Sequence, residues 1–222
     1  MRKAPRLPPE QLAPYLLEMP PGPARAPAVP LEWNAIFGNA QPVEIEVGPG
    51  KGLFLLTESQ ARPTVNFLGI EIERKYALYA ATRVAKRSLP NVKLAWADAR
   101  EFLRDRVPAS SVQAVHVYFP DPWWKKRHHK RRVFTEEFAA SCQRILIPGG
   151  RLFVVTDVED YMAMVRETLA RFPALVELPP PAEKSPKHDL DYLTNFERKF
   201  RQQGKPIYRA TYCKTPSNLP NP

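Results

Sequence analysis

Cysteine is scarce in this 222-residue chain: Cys142 and Cys213 are the only two, far apart and without a nearby histidine. That excludes a disulfide framework and a zinc finger or ribbon. No apolar run approaches the ~20 residues of a membrane span, and the N-terminal stretch lacks the apolar core of a signal peptide. A cytoplasmic protein without a membrane partner is expected. Acidic residues are outnumbered, 23 against 33 Lys plus Arg, which leaves a formal charge of +10 and a pI near 9.7. Such an excess is the electrostatic footprint of a partner that carries phosphates. Hydrophobic residues still make up 44 %, enough for a sizeable core, which excludes general disorder. The length suits one full domain with an appendage.

Nine of the 26 prolines lie in residues 1–30. Proline fixes φ and removes a donor, so this stretch reads as an arm that is wrapped on the surface or disordered, with the folded domain spanning 31–222. From Leu31 onward, β-branched apolar runs alternate with helical patterns, the signature of a doubly wound, mostly parallel α/β sheet. Strands are expected at 43–47, 66–70, 92–97, 112–118 and 151–156, and helices at 53–60, 74–86, 99–104, 135–146 and 159–171. Ile147-Pro148-Gly149-Gly150 reads as a helix stop and turn. After the prolines at 179–181 and a loop to Leu190, a helical segment at 195–201 and a last strand at 206–212 are expected.

Glu46-Val47-Gly48-Pro49-Gly50-Lys51-Gly52 falls where the first strand turns into a helix, the place where doubly wound sheets bind nucleotide-like ligands. A dinucleotide fingerprint needs its third glycine three residues after the second, but Leu53 stands there and Gly52 comes one position early. The E-x-G-x-G-x-G pattern instead resembles the first motif of class I S-adenosylmethionine-dependent methyltransferases. Two further strands end in a carboxylate. Glu71 lies 23 positions after Gly48, near the offset at which an acid reaches ribose hydroxyls. Asp98 either accepts from the exocyclic amine of an adenine or caps the following helix.

Tyr118-Phe119-Pro120-Asp121-Pro122-Trp123-Trp124 leaves the fourth strand and runs into Lys125 to Arg132, of which six residues are Lys or Arg and two, His128 and His129, are histidine. Asp121 should face the reactive part of a ligand, beside the point where strand order reverses. A basic run mixed with aromatics grips phosphates and offers stacking surfaces for a splayed base; the alternative is a solvated loop.

Pro120-Asp121-Pro122-Trp123, followed by Lys125, Arg127-His128 and Lys130-Arg131-Arg132, closely resembles the signature of the bacterial tRNA (guanine-N7)-methyltransferases. The likeness extends from Trp33 and Phe37-Gly38-Asn39 through the glycine loop to Thr194-Asn195-Phe196-Glu197-Arg198-Lys199-Phe200 and Gly204 to Arg209, about 180 residues. The resemblance implies a class I methyltransferase fold with an antiparallel C-terminal strand, S-adenosylmethionine as cofactor, no metal, and tRNA as partner, the target being guanosine 46 of the variable loop. By the same likeness Glu46, Glu71, Asp98 and Asp121 contact the cofactor along with the loop glycines Gly48, Gly50 and Gly52, with Asp121 catalytic. Lys125, Asp157 and Thr194, Asn195, Phe196 and Glu197 bind substrate, and Arg127, His128, His129, Lys130, Arg131 and Arg132 touch the RNA. Monomer and homodimer are both compatible with it.

The chemistry is consistent with the residues. Guanine N7 carries a free lone pair at neutral pH, so methylation needs alignment and stabilisation of growing positive charge but no general base. Asp157 and Glu197 are candidates for base recognition; their alternatives are a helix cap for Asp157 and an ion pair with Arg201 for Glu197. Two other functions compete: methylation of an exocyclic amine, whose motif has two consecutive prolines after the acid, and an RNA-binding module that lost catalysis. His116 and His188 read as structural or surface residues.

Overall fold

In a computed structural model of the chain, residues 7–17, 29–179 and 194–216 are described; His188 and the loop to Leu190 lie outside them, as do the side chains of Lys126, His129 and Asn195. Seven strands form one sheet: β1 (Val43–Val47), β2 (Asn66–Glu71), β3 (Val92–Trp96), β4 (Val112–Tyr118), β5 (Leu146–Thr156), β6 (Leu175–Leu178) and β7 (Tyr208–Lys214). Their order is β3-β2-β1-β4-β5-β7-β6, parallel from β3 to β5, with β7 antiparallel to both of its neighbours. Strand order therefore reverses between β1 and β4, and the loops leaving those two strands open a crevice at their carboxyl ends.

Side-chain alternation divides the sheet into two faces. Ile45 and Val47 of β1, and Val115 and Val117 of β4, join the core under α5 (Ala99–Asp105), α6 (Glu136–Ile145) and α7 (Glu159–Leu169). On the other face Phe54, Leu55 and Leu56 of α3 (Leu53–Ala61), together with Ala80, Ala81 and Val84 of α4 (Arg74–Ala85), cover Phe67, Val92 and Leu94. Phe67, Phe102 and Phe138 are fully buried, each contributing roughly 1.5–3 kcal/mol of hydrophobic stabilisation. α6 starts on Thr135, whose side chain accepts the N–H of Phe138 at 3.2 Å.

Three features differ from the sequence pattern. Ile147 to Gly150 is not a free turn: β5 begins at Leu146, and the four residues form an irregularity in its pairing with β4, between Val112↔Leu146 and Ala114↔Arg151. β6 has no counterpart in that pattern, and among the described residues it pairs only with β7. Part of the proline-rich stretch has regular structure: α1 (Pro9–Leu12) begins with proline in its first turn, where the missing N–H costs nothing, and buries Leu12. Leu17 then donates its backbone N–H to the carbonyl of Leu94 on the edge strand at 2.8 Å. A short helix, α2 (Trp33–Phe37), ends on Gly38 in the left-handed conformation before β1.

The face shared by α3 and β4 also holds a closed polar chain. Glu44 accepts two hydrogen bonds from Arg62, at 2.6 and 2.8 Å, and sits 2.9 Å from His116 Nε2, while His116 Nδ1 is 2.8 Å from the Tyr118 hydroxyl. Burial works against the Glu44 charge, but hydrogen bonds from His116 and Arg62 outweigh it and bring the carboxyl to about 2. Burial keeps His116 below its ordinary value, despite Glu44. His116 stacks on Phe153 at 4.9 Å. It is a structural histidine that fastens α3 to the sheet.

Candidate active site

The glycine loop joins β1 to α3. Gly52 lies at φ +69°, and a Cβ there would stand 2.9 Å from the Cβ of Ala80, so glycine is what lets α3 and α4 approach each other. Gly48 and Gly50 also have positive φ, but a Cβ on either would meet no atom of the described residues within 4 Å. Their backbone faces open space, as a loop that a ligand approaches closely must. Arg83 of α4 donates to the Lys51 carbonyl at 2.6 Å and holds the loop from behind.

Two carboxylates flank the loop. Glu71 accepts the backbone N–H of Gly50 and of Glu73, each at 2.9 Å, one on each oxygen. Glu46 is 3 % exposed and its Oε2 has no hydrogen-bond partner among the described residues. A buried acceptor without a donor is costly unless a ligand supplies one. Burial, reinforced by the charge of Glu71, pushes the Glu46 carboxyl well above the usual range; burial also raises Glu71, against the pull of its backbone donors. These groups suit a ligand with a cationic centre and hydroxyls, such as the amino-acid tail, sulfonium and ribose of S-adenosylmethionine.

Asp98 caps α5: its Oδ1 accepts the Arg100 N–H at 2.9 Å. The same carboxylate is gripped by the Arg100 guanidinium, Nε on Oδ1 at 3.1 Å and Nη2 on Oδ2 at 2.6 Å. Hydrogen bonding by Arg100 holds Asp98 below its ordinary value despite partial burial. Capping, one of the two readings of Asp98, is thus realised, and the carboxylate still borders the crevice at the end of β3.

Asp121 is exposed beyond the end of β4. The segment around it is held in an uncommon backbone: Phe119 has φ +49° and Trp123 φ +46°, left-handed values that cost non-glycine residues roughly 1–3 kcal/mol each. Pro120 and Pro122 stiffen the interval, and Phe119 donates its N–H to Val155 of β5 at 2.7 Å. Arg132 returns from the far end of the basic run: its Nε donates to the Pro122 carbonyl at 2.8 Å, and its guanidinium lies 5.8 Å from the Tyr161 ring centre. Burial pushes the Tyr161 phenol up to about 12, and the charge of Asp121 contributes in the same direction. Arg132 is therefore half-buried beneath the loop, whereas Lys125, Arg127, Lys130 and Arg131 are exposed. The run is folded, with Lys126–Arg131 forming a 3₁₀ turn; Arg131 lies over the Trp123 ring at 5.1 Å and His128 stands 5.7 Å from it.

Asp157 follows β5 and is half-buried. It does not cap α7, whose N-cap is Val158, with the Val158 N–H taken by Thr156 Oγ1 at 3.2 Å. Thr194 caps α8 (Asn195–Gln202) by accepting the Glu197 N–H at 3.1 Å. Glu197 is 4 % exposed and pairs with Arg201, at 3.1 Å, and with Arg209. The ion pair with Arg201 is thus present, but it is buried and shared with β7, fixing α8 to the sheet. Phe196 is 54 % exposed; with Phe200 it faces Phe119, at ring separations of 6.2 and 5.5 Å. An aromatic ledge thereby borders the Asp121 loop. Arg100 carries no motif that marks it in the sequence, and the packing of Phe119 against Phe196 and Phe200 is revealed only by the folded geometry.

The sheet order, with a glycine loop and carboxylates at its switch point, defines the class I methyltransferase fold. A solved 16S rRNA methyltransferase, KamB, superposes over 83 % of this chain and 93 % of its own with a TM-score of 0.60 at 16 % identity. Residues 40–210 match the family model described as a putative methyltransferase. The tRNA (guanine-N(7)-)-methyltransferase of Rhodopirellula baltica is 48 % identical over 187 residues, covering 82 % of this chain and 69 % of that protein. Its namesake in Geobacter metallireducens is 35 % identical, covering 85 % and 89 %. The chain belongs to the tRNA (guanine-N(7)-)-methyltransferase family.

Proposed function

We propose that this chain methylates N7 of a guanosine in tRNA with S-adenosylmethionine as donor, the target being guanosine 46 of the variable loop, as family resemblance implies. The observation that carries the reading is the buried Glu46 Oε2, without a hydrogen-bond partner among the described residues, beside an open glycine loop and one strand away from Asp121 and its folded basic turn. An RNA-binding module without catalysis would gain nothing from a buried acid with an oxygen left unsatisfied.

S-adenosylmethionine supplies the electrophilic methyl group. Glu46 faces the cationic amino-acid end, Gly48 and Gly50 offer bare backbone, Glu71 accepts from ribose hydroxyls, and Asp98 receives the adenine amine. Exposed Lys125, Arg127, Lys130 and Arg131 neutralise tRNA phosphates, and Phe196 with Phe119 stacks on the extruded guanine. Asp157 and Thr194 to Glu197 border the base. Asp121 stands beside the acceptor and gains interaction energy as positive charge moves onto the guanine, so it acts in the transition state. No side chain needs to remove a proton.

The test incubates the protein with unmodified tRNA and labelled S-adenosylmethionine, then identifies the methylated nucleoside and its position. 7-Methylguanosine makes the chain cleavable by reduction and aniline. Methylated tRNA that resists this treatment would instead favour an exocyclic amine as target.

A further inference from the structure

The Arg100 guanidinium has two edges, and each is used differently. The Nε and Nη2 edge grips Asp98 at the end of β3; Nη1 donates to the backbone carbonyl of Lys130 at 2.8 Å, inside the 3₁₀ turn of the basic run. Two segments that are distant in the chain, around Asp98 and around Lys130, are thus joined through one rigid planar group. Of the roughly four acceptor sites on a carboxylate, Asp98 gives two on Oδ1 to the Arg100 N–H and Nε and one on Oδ2 to Nη2. Among the described residues, one lobe of Oδ2 is left to receive a ligand N–H without displacing Arg100.

We propose that Arg100 is a positioning residue that couples the nucleoside end of the donor site to the tRNA-binding turn, so that donor and tRNA bind with positive cooperativity. This rests on the function proposed above. An amine docking on the remaining lobe of Asp98 extends a chain of charge-assisted hydrogen bonds: ligand to Asp98, Arg100 to Asp98, Arg100 to the Lys130 carbonyl. Each link orders the next, because a guanidinium fixed on the carboxylate presents Nη1 in one direction only. A turn held by the carbonyl of Lys130, next to its last residue, presents Arg127, Lys130 and Arg131 to phosphates already arranged. Either ligand stabilises the arrangement in which these links are made against those in which they are broken, so the second ligand meets a turn that is already ordered.

Coupling of this kind is reciprocal and is read as a ratio of affinities. The experiment measures the Kd of tRNA with and without saturating S-adenosylhomocysteine, and the Kd of S-adenosylhomocysteine with and without tRNA. For the parent protein each ligand should tighten the other by the same factor, about 5- to 10-fold, the lower range of typical allosteric coupling. Arg100→Lys keeps the positive charge and loses the fork, since an ammonium cannot serve the carboxylate and the carbonyl in the same geometry. Its ratio should fall below about 2, with an unchanged salt dependence of tRNA binding because every phosphate keeps its cation. Arg100→Gln, which cannot bridge either, should give the same low ratio and serves if the lysine variant does not fold. A loss of stability that weakened both ligands alike would leave the ratio at the parent value, so a ratio unchanged in both variants overturns the proposal. So does a parent ratio of one. Calorimetry on the parent alone reports separately whether the donor site exists; absence of binding there refutes the proposed function itself.

Discussion

The backbone N–H of Gly50 donates to Oε2 of Glu71 at 2.9 Å, so the loop leaving the first strand and the acid ending the second form one unit. Glu71→Ala removes this anchor together with the acceptor proposed for the ribose hydroxyls. Losing hydrogen bonds to a charged group costs about 1.5–3 kcal/mol, so S-adenosylhomocysteine affinity should fall roughly 10- to 100-fold by calorimetry. An affinity equal to that of the parent would show that Glu71 serves only the loop.

Glu46 ties stability to pH. In the folded chain its carboxyl lies well above the ordinary 4.5, owing to burial and then to Glu71. Between the unfolded and folded values the folded state binds more protons, so stability falls as pH rises through that window. Glu46→Gln removes the effect. In urea titrations the variant should exceed the parent in stability above the ordinary carboxylate range and converge with it below, while its thermal shift with S-adenosylhomocysteine disappears. A parent stability that rises with pH where the variant is flat would contradict the assignment.

Asp121→Asn keeps the shape and removes the charge. Methyl transfer in a single turnover should slow at least ~10²-fold, the scale of losing one preorganised electrostatic group, while tRNA affinity changes little. Transfer within a few-fold of the parent at saturating ligands would make Asp121 positional and direct attention to Asp157.

The basic run divides into two kinds of residue. Replacing exposed Arg127, Lys130 and Arg131 with Ala should reduce the log–log salt slope of tRNA binding by up to ~0.7–0.9 for each phosphate no longer neutralised. Arg132→Ala should leave that slope nearly intact but slow transfer, because its guanidinium holds the Pro122 carbonyl beside Asp121. Equal slopes for the triple variant and the parent would mean that the turn does not touch the phosphate backbone.

Much of this architecture is legible in the sequence because it is local. The β-branched apolar runs of Val43–Val47 and Val112–Tyr118, the glycine spacing and the helical stripe of Ala77, Ala80, Ala81 and Val84 are each local in the chain. What escapes depends on partners distant in the chain. β6 has only four residues, two of them with exposed side chains at the sheet edge, and its existence depends on β7. The capping role of Asp98 is among the sequence alternatives, but the grip of Arg100 on Lys130 is not, since it joins residues 30 positions apart. Likewise nothing in the hydrophobic pattern tells that Phe119 and Trp123 adopt left-handed backbone, or that Glu197 is buried between two arginines.

The position of β7 between β5 and β6 has a consequence for biosynthesis. The strand that completes the sheet is the last of the seven to be translated, and it inserts between two that precede it. While the ribosome is still short of Lys214, β5 lacks a partner on one side and β6 lacks any, leaving hydrogen-bonding edges open on the nascent chain. Arg209, which clamps Glu197 of α8, arrives with the same strand. The parallel half of the sheet, which carries the glycine loop and its acids, can assemble before α8 is fastened.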